Sequence, residues 1–106
     1  MPAIEINSEN FKSEVLESTT PVLVDFWAPW CGPCRIVGPV MYEIAAEAKD
    51  VKVCKVNVDE NPQLAAEFGV RSIPLVIVIK DGENVAQSLG AQPKEAYLEL
   101  LKPYRP

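Results

Sequence analysis

Residues 22–28 read Val-Leu-Val-Asp-Phe-Trp-Ala, a β-branched and aromatic run opened by Pro21. A run of that kind is a strand buried on both faces, and such a strand needs helices packed above and below it. Trp30-Cys31-Gly32-Pro33-Cys34 follows, and then Ile36, Val37, Val40, Met41, Ile44, Ala45 and Ala48 recur at helical spacing. Strand, tight turn and amphipathic helix are thus consecutive, with two thiols at the point where the helix begins. Pro39 falls inside that helix, where it removes a backbone donor and predicts a kink.

The rest of the chain repeats the alternation. Residues 4–6 alternate apolar and polar as an edge strand does, and Asn7 or Ser8 can cap a first helix carrying Phe11, Val15 and Leu16. Residues 51–58 read as a second buried strand. Asn61-Pro62 reads as an N-cap and first-turn proline opening a short helix that Gly69 ends. Residues 75–79 are a branched-aliphatic strand, and Asp81-Gly82 makes a hairpin turn into a strand at 85–89. Pro93 starts a last helix carrying Tyr97, Leu100 and Leu101. The order β-α-β-α-β-α-β-β-α predicts an α/β fold, a mixed sheet with helices on both faces. Right-handed crossovers make the first three strands parallel, and the hairpin adds antiparallel ones. In open α/β sheets the working crevice lies at the carboxyl ends of the strands, where residues 27–34 fall.

With 106 residues, the chain is expected to be a single domain over 1–106. A net charge of −5 without a long Lys/Arg run argues against a nucleic acid or an anionic membrane as partner. No window approaches the roughly 20 apolar residues needed to cross a bilayer. Residues 1–5 lack the basic and apolar regions of a signal peptide, so a cytoplasmic protein is expected. Three cysteines are too few for a disulfide framework, and the chain has no histidine. Cys–His catalysis and His-containing metal sites are therefore excluded, and a Cys-only metal site would need about four thiolates.

Gly32-Pro33 links the two thiols tightly, and Cys31 is expected at the helix N-terminus, where free N–H groups and the helix dipole would lower its pKa. That placement suits Cys31 to attack a disulfide. Cys34, one turn inside and more shielded, would resolve the mixed disulfide. The alternative is a static disulfide or two inert thiols. Asp25 interrupts the apolar run, and a carboxylate buried there has a raised pKa. Strand alternation puts Leu23, Asp25 and Trp27 on one face of their strand and Val53, Lys55 and Asn57 on one face of the next, so Lys55 can approach Asp25. Such a carboxylate could exchange protons with Cys34; alternatively, backbone or water simply satisfies it. Lys55 could equally reach solvent. Ile73-Pro74 precedes a buried strand, where a cis bond is possible. Gly90 allows close backbone approach or is only a turn glycine. Trp30 suits an apolar docking surface, while Trp27 packs under the motif. Cys54 reads as a buried, inert thiol and Asp59-Glu60 as a solvated loop.

Over essentially its whole length the sequence resembles the thioredoxin family. The residues that carry the resemblance are Asp25 through Cys34, Pro39, Lys55, Asn57, Asp59, Asn61-Pro62, Ile73-Pro74, Lys80-Asp81-Gly82 and Gly90-Ala91. The resemblance implies a thioredoxin fold, a central five-stranded mixed β-sheet flanked by four α-helices. It implies a general protein disulfide reductase in which Cys31 attacks, Cys34 resolves, and Asp25 with Lys55 handles proton transfer. Pro74 would be cis and face the dithiol. Trp30, Gly32, Pro33, Ile73, Pro74, Gly90 and Ala91 would line the groove for substrate backbone, with Trp27 and Pro39 structural. No cofactor would be bound, because electrons come from NADPH through a flavin-containing thioredoxin reductase. That reductase and disulfide-containing client proteins would be the partners of a cytoplasmic monomer serving electron transport and cell redox homeostasis. Gly-Pro between the cysteines points to the reducing branch, whereas glutaredoxins and disulfide isomerases usually carry Pro-Tyr or Gly-His. Leu75, Ser72 and Ile79 depart from the commoner Thr, Gly and Phe, and Arg35 from Lys. Leu75 and Ser72 flank the substrate loop, where client preference would change.

The leading expectation is therefore a redox carrier acting through Cys31. A binding or assembly module that grips partners in the same groove is the rival reading. A third, an oxidase or isomerase, is disfavoured by Gly32-Pro33.

Overall fold

The run at the start of the motif becomes β2 (Val22–Trp27), the middle strand of a five-stranded sheet. The computed structural model describes residues 3–106. Along the chain these are β1 (Ile4–Glu5), a π-helical turn (Lys12–Leu16), β2, α1 (Cys34–Glu47), β3 (Lys52–Asn57) and α2 (Pro62–Glu67). Then come β4 (Leu75–Lys80), β5 (Glu83–Leu89), α3 (Lys94–Leu101) and a 3₁₀ turn (Lys102–Tyr104). The strand order is β1-β3-β2-β4-β5, with β1, β3 and β2 parallel and β4 and β5 antiparallel.

Strand alternation divides the core into two layers. Leu23, Val53, Val76 and Val78 meet Val37, Met41 and Ile44 of α1 and Tyr97 and Leu101 of α3. On the opposite face Val22, Val24, Phe26, Cys54, Val56 and Ile77 meet Val15 and Leu64. The hairpin turn forms at Asp81-Gly82, both with positive φ (54° and 79°), the geometry that matches strand twist. At the C-terminus, Arg105 grips the Asp50 carboxylate with two N–H donors at 2.8 Å.

Several local expectations change. Of the four helices foreseen, the first is a π-helical turn, closed by Glu17 N–H donating to the Lys12 carbonyl at 2.9 Å. Only Val15 is buried from it, and Leu16 is exposed. Neither Asn7 nor Ser8 caps it: Phe11 holds the N-cap position without a side-chain bond, and the Asn7 side-chain oxygen accepts from the N–H groups of Glu9 and Asn10 at 2.8 and 3.1 Å in the turn ahead of it. Asn61 occupies the N-cap position of α2 but makes no cap bond; its side chain donates back to the Asn57 carbonyl at 3.1 Å. Helix α1 runs through Pro39, and its buried stripe is Cys34, Val37, Gly38, Met41, Ile44 and Ala45. Ile36 lies off that stripe and is 63% exposed, because one residue is 100° around a helix.

These positions predict contrasting substitutions on one helix. Met41→Ala is expected to cost about 2–5 kcal/mol of stability, and Ile36→Ala to stay within about 0.5 kcal/mol. Urea unfolding measures both, and equal losses would contradict this packing.

Candidate active site

The carboxyl ends of β2 and β3, the start of α1 and the loop before β4 converge on the two thiols. Gly32 and Pro33, both exposed, make the turn between them: the N–H groups of Arg35 and Ile36 donate to the carbonyls of Gly32 and Pro33 at 3.0 and 3.1 Å. Cys31 and Cys34 are joined in a disulfide with Cα atoms 5.3 Å apart. The helix proper begins at Cys34, with Pro33 at its N-cap position, so Cys31 sits just ahead of it. The Cys34 N–H donates to Cys31 Sγ at 3.2 Å, which places a helix-start donor on that sulfur. The expected difference in shielding is absent in the oxidised form, where Cys31 is 4% and Cys34 5% exposed. Ala28, Trp27, Val58 and Ile73 pack around both.

Beneath lies Asp25, fully buried, with neither carboxylate oxygen hydrogen-bonded. Parallel pairing sets it directly opposite Lys55, and antiparallel pairing opposite Val76 of β4. Burial pushes the carboxyl up from the usual 3.8 to about 7, while the Lys55 charge pulls it down and Glu5 pushes it up. Lys55 is buried too. Its ammonium lies 4.7 Å from the Trp27 ring and 4.9 Å from the Tyr42 ring, both within cation–π range. A cavity of about 320 Å³ opens beside Cys34 between Trp27, Pro39, Tyr42 and Lys55. The Trp27 indole N–H is buried without a partner.

On the other side, the Ile73-Pro74 peptide is cis and Pro74 is buried. The Gly90 N–H donates to the Pro74 carbonyl at 2.8 Å, which joins the β5 exit to that loop. The backbone of Gly90 (φ 88°) takes a conformation open to glycine, and the Tyr97 hydroxyl donates to its carbonyl at 3.3 Å. Ala91 packs against the core layer of α1 and α3. Trp30 is 68% exposed, and its indole N–H donates to the Asp59 carboxylate, at 2.9 Å to the nearer oxygen. Asp59 is thus more than a solvated loop residue. It is set in place by Asn57, whose side-chain oxygen accepts the Asp59 N–H at 2.9 Å.

Sequence reasoning missed Tyr42, although the spacing Cys34, Gly38, Tyr42 traces one stripe of α1 along the cavity. Leu75 points into the second core layer, and Ser72 is exposed. Arg35 donates to the Pro29 carbonyl at 3.3 Å. Cys54 is the free thiol among the described residues; it is buried, and burial raises its pKa to about 12. Among the described residues no cluster of His, Cys, Asp and Glu could hold a metal, and no helix is long and apolar enough to cross a membrane.

The family model for thioredoxin matches residues 2–103. The chain belongs to the thioredoxin family. It is 58% identical to thioredoxin 1 of Synechococcus elongatus over 93% of this chain and 94% of that protein. It is 52% identical to the chloroplastic M-type thioredoxin of Chlamydomonas reinhardtii (93% and 71%), and 50% identical to a thioredoxin of Pyropia yezoensis (98% of each). As a member of the thioredoxin family, the chain is a protein-disulfide reductase, a thiol–disulfide oxidoreductase whose couple is Cys31/Cys34. A binding module with incidental redox chemistry is not favoured.

Asp25 makes stability depend on pH. Its folded-state pKa of about 7 exceeds the usual 3.8, so the folded protein holds the proton more tightly. Stability is therefore full below the unfolded value and falls as pH rises through the folded one. Asp25→Asn in the oxidised protein is expected to gain on the order of 4 kcal/mol at pH 8. That gain shrinks toward pH 4; a gain independent of pH in urea unfolding would contradict the assignment.

Proposed function

We propose that Cys31 attacks and Cys34 resolves, with Asp25 as the proton acceptor between them. The supporting observation is the asymmetry around the disulfide: Cys31 Sγ receives the Cys34 N–H, whereas Cys34 borders the cavity lined by Lys55, the register partner of Asp25. In the reduced protein the Cys31 thiolate, favoured by that donor, attacks one sulfur of a client disulfide. The S–S bond of the client breaks and its second sulfur leaves as thiolate. The Cys34 thiol then loses its proton to Asp25, and the resulting thiolate attacks Cys31 Sγ. The mixed disulfide breaks, the client's other thiolate departs and takes up a proton, and two electrons have passed to the client. Asp25 is suited to this exchange because its pKa of about 7 leaves both protonation states populated near neutrality.

Trp30, Gly32, Pro33, Ile73, Pro74, Gly90 and Ala91 are assigned to the client groove, and Trp27 and Pro39 to its support. The electrons reside in the two sulfurs, so turnover needs no bound cofactor, and their source is NADPH through a flavin-containing thioredoxin reductase. Clients and that reductase meet the same exposed face around Trp30, and the chain acts as a single-domain monomer over 1–106. A couple of this kind stays reduced in a reducing compartment. The cytoplasm is such a compartment; a relative named as chloroplastic marks another that the same chemistry suits.

Reduction of insulin with dithiothreitol as electron donor tests the order of events. Cys31→Ser is expected to fall to the uncatalysed background. Cys34→Ser should retain one attack and accumulate a mixed disulfide visible by mass. Trapping on Cys34 in the Cys31→Ser protein instead would reverse the two roles. Asp25→Ala should slow the second step and flatten its pH dependence near 7; an unchanged profile would remove Asp25 from proton transfer.

A further inference from the structure

Lys55 is a buried cation without a paired anion. Its register partner Asp25 has no hydrogen bond to either oxygen, and Lys55 takes part in no salt bridge among the described residues. What surrounds the ammonium is aromatic: the Trp27 ring at 4.7 Å and the Tyr42 ring at 4.9 Å. Helix α1 passes so close at Gly38 that an added Cβ would lie 3.6 Å from Lys55 Nζ. Trp27 comes from β2, so its ring is fixed by the sheet. Tyr42 is on α1, 47% exposed, and lines the same cavity as Lys55, so its ring lies between the ammonium and part of the solvent-facing side.

We propose that Tyr42 is a positioning residue for the dithiol chemistry: with Trp27 it clamps the Lys55 ammonium under cover beside Asp25. The inference rests on the reading of Asp25 as proton acceptor and names what holds that group's charge environment in place. Ring faces attract a cation without neutralising it, so Lys55 keeps its full field on Asp25, where a salt bridge would have spent it on one carboxylate geometry. Opening the clamp lets water reach the ammonium. The local dielectric rises, its attraction for the carboxylate weakens, and the carboxyl keeps its proton to higher pH. The other groups acting on Asp25 are Glu5 from β1 and Tyr97 from α3, with apolar Val76 opposite it on β4; Cys34 and Arg35 of α1 border the cavity that Lys55 lines.

The test is a carbon-13 NMR titration of the Asp25 carboxyl in the full chain. Tyr42→Leu is expected to move the midpoint up by about half a unit, and Tyr42→Phe, which keeps the ring, to leave it in place. Lys55→Met should move it up at least as far, and adding Tyr42→Leu to Lys55→Met should move it no further. A midpoint unmoved by Tyr42→Leu, or a shift that persists undiminished without the lysine, overturns the clamp. The titration reads Asp25 directly, so these outcomes stand apart from the acceptor role. That role fails on its own if Asp25→Asn leaves the pH profile of turnover unchanged.

Discussion

The parallel ladder between β2 and β3 is the constraint from which the site follows. It sets Asp25 opposite Lys55 and Trp27 opposite Asn57, and it brings the carboxyl end of both strands under the start of α1. A slip of one residue would turn Leu23, Asp25 and Trp27 to the opposite face and bring Val22, Val24 and Phe26 against α1. The carboxylate would then lie away from the sulfurs, and Lys55 would meet an apolar residue. The register is protected because both faces are buried: every residue of β2 before Trp27 is enclosed, so no slipped pairing could keep two matched apolar layers. The chemistry is therefore held by packing rather than by bonds among the polar groups themselves.

That arrangement opposes stability. Asp25 occupies a place that an apolar residue would fill to advantage, and neither of its oxygens is hydrogen-bonded. The nearest compensation is the field of Lys55, which is buried and held over aromatic rings. Above neutrality the fold carries a largely desolvated anion, at a cost offset by the two apolar layers on either side of the sheet. A carboxyl with a pKa of about 7 could not arise on the surface, because water would solvate the anion and return it toward 3.8. The destabilisation and the capacity to exchange a proton at neutral pH are one property.

Much of this was legible in the sequence. Period-2 and period-3.6 patterns gave the order of elements, the parallel and antiparallel halves of the sheet, and the face shared by Asp25 and Lys55. The Asp81-Gly82 turn and the Gly69 helix end were readable because positive φ restricts the residue choice. The failures have a common origin. Ile36 counts toward the helical pattern yet lies off the buried stripe, because apolar identity says nothing about its angle around α1. The π-helical turn, the side-chain bond of Asn61 and the contact of Asp59 with Trp30 depend on where other segments lie. Asn57 shows the same limit: it is a strand residue by pattern, yet its side chain and carbonyl organise the turn that aims Asp59 at the indole. Tyr42 escaped notice because a half-exposed aromatic on a helix resembles ordinary surface until its cation partner from another strand is known.

The two sulfurs belong to one covalent bond but to different surroundings, and the difference comes from the direction of the backbone. The chain leaves β2, turns through Gly32-Pro33 and enters α1, so the first sulfur faces forward along the helix toward a free N–H, and the second belongs to the helix itself. Ile73 packs against the pair of sulfurs, and cis-Pro74 with its Gly90 link follows it in the chain, a surface of apolar side chains and backbone. The second sulfur borders a cavity with a cation between aromatic walls, and the register partner of that cation is an unpaired carboxylate. In the proposed mechanism the attacking thiol has to meet many partners, and the resolving thiol has to pass its proton to an enclosed acceptor. Three residues of chain, Cys31 to Cys34, span from one environment to the other, and for that reason the spacing between the cysteines carries so much of the function.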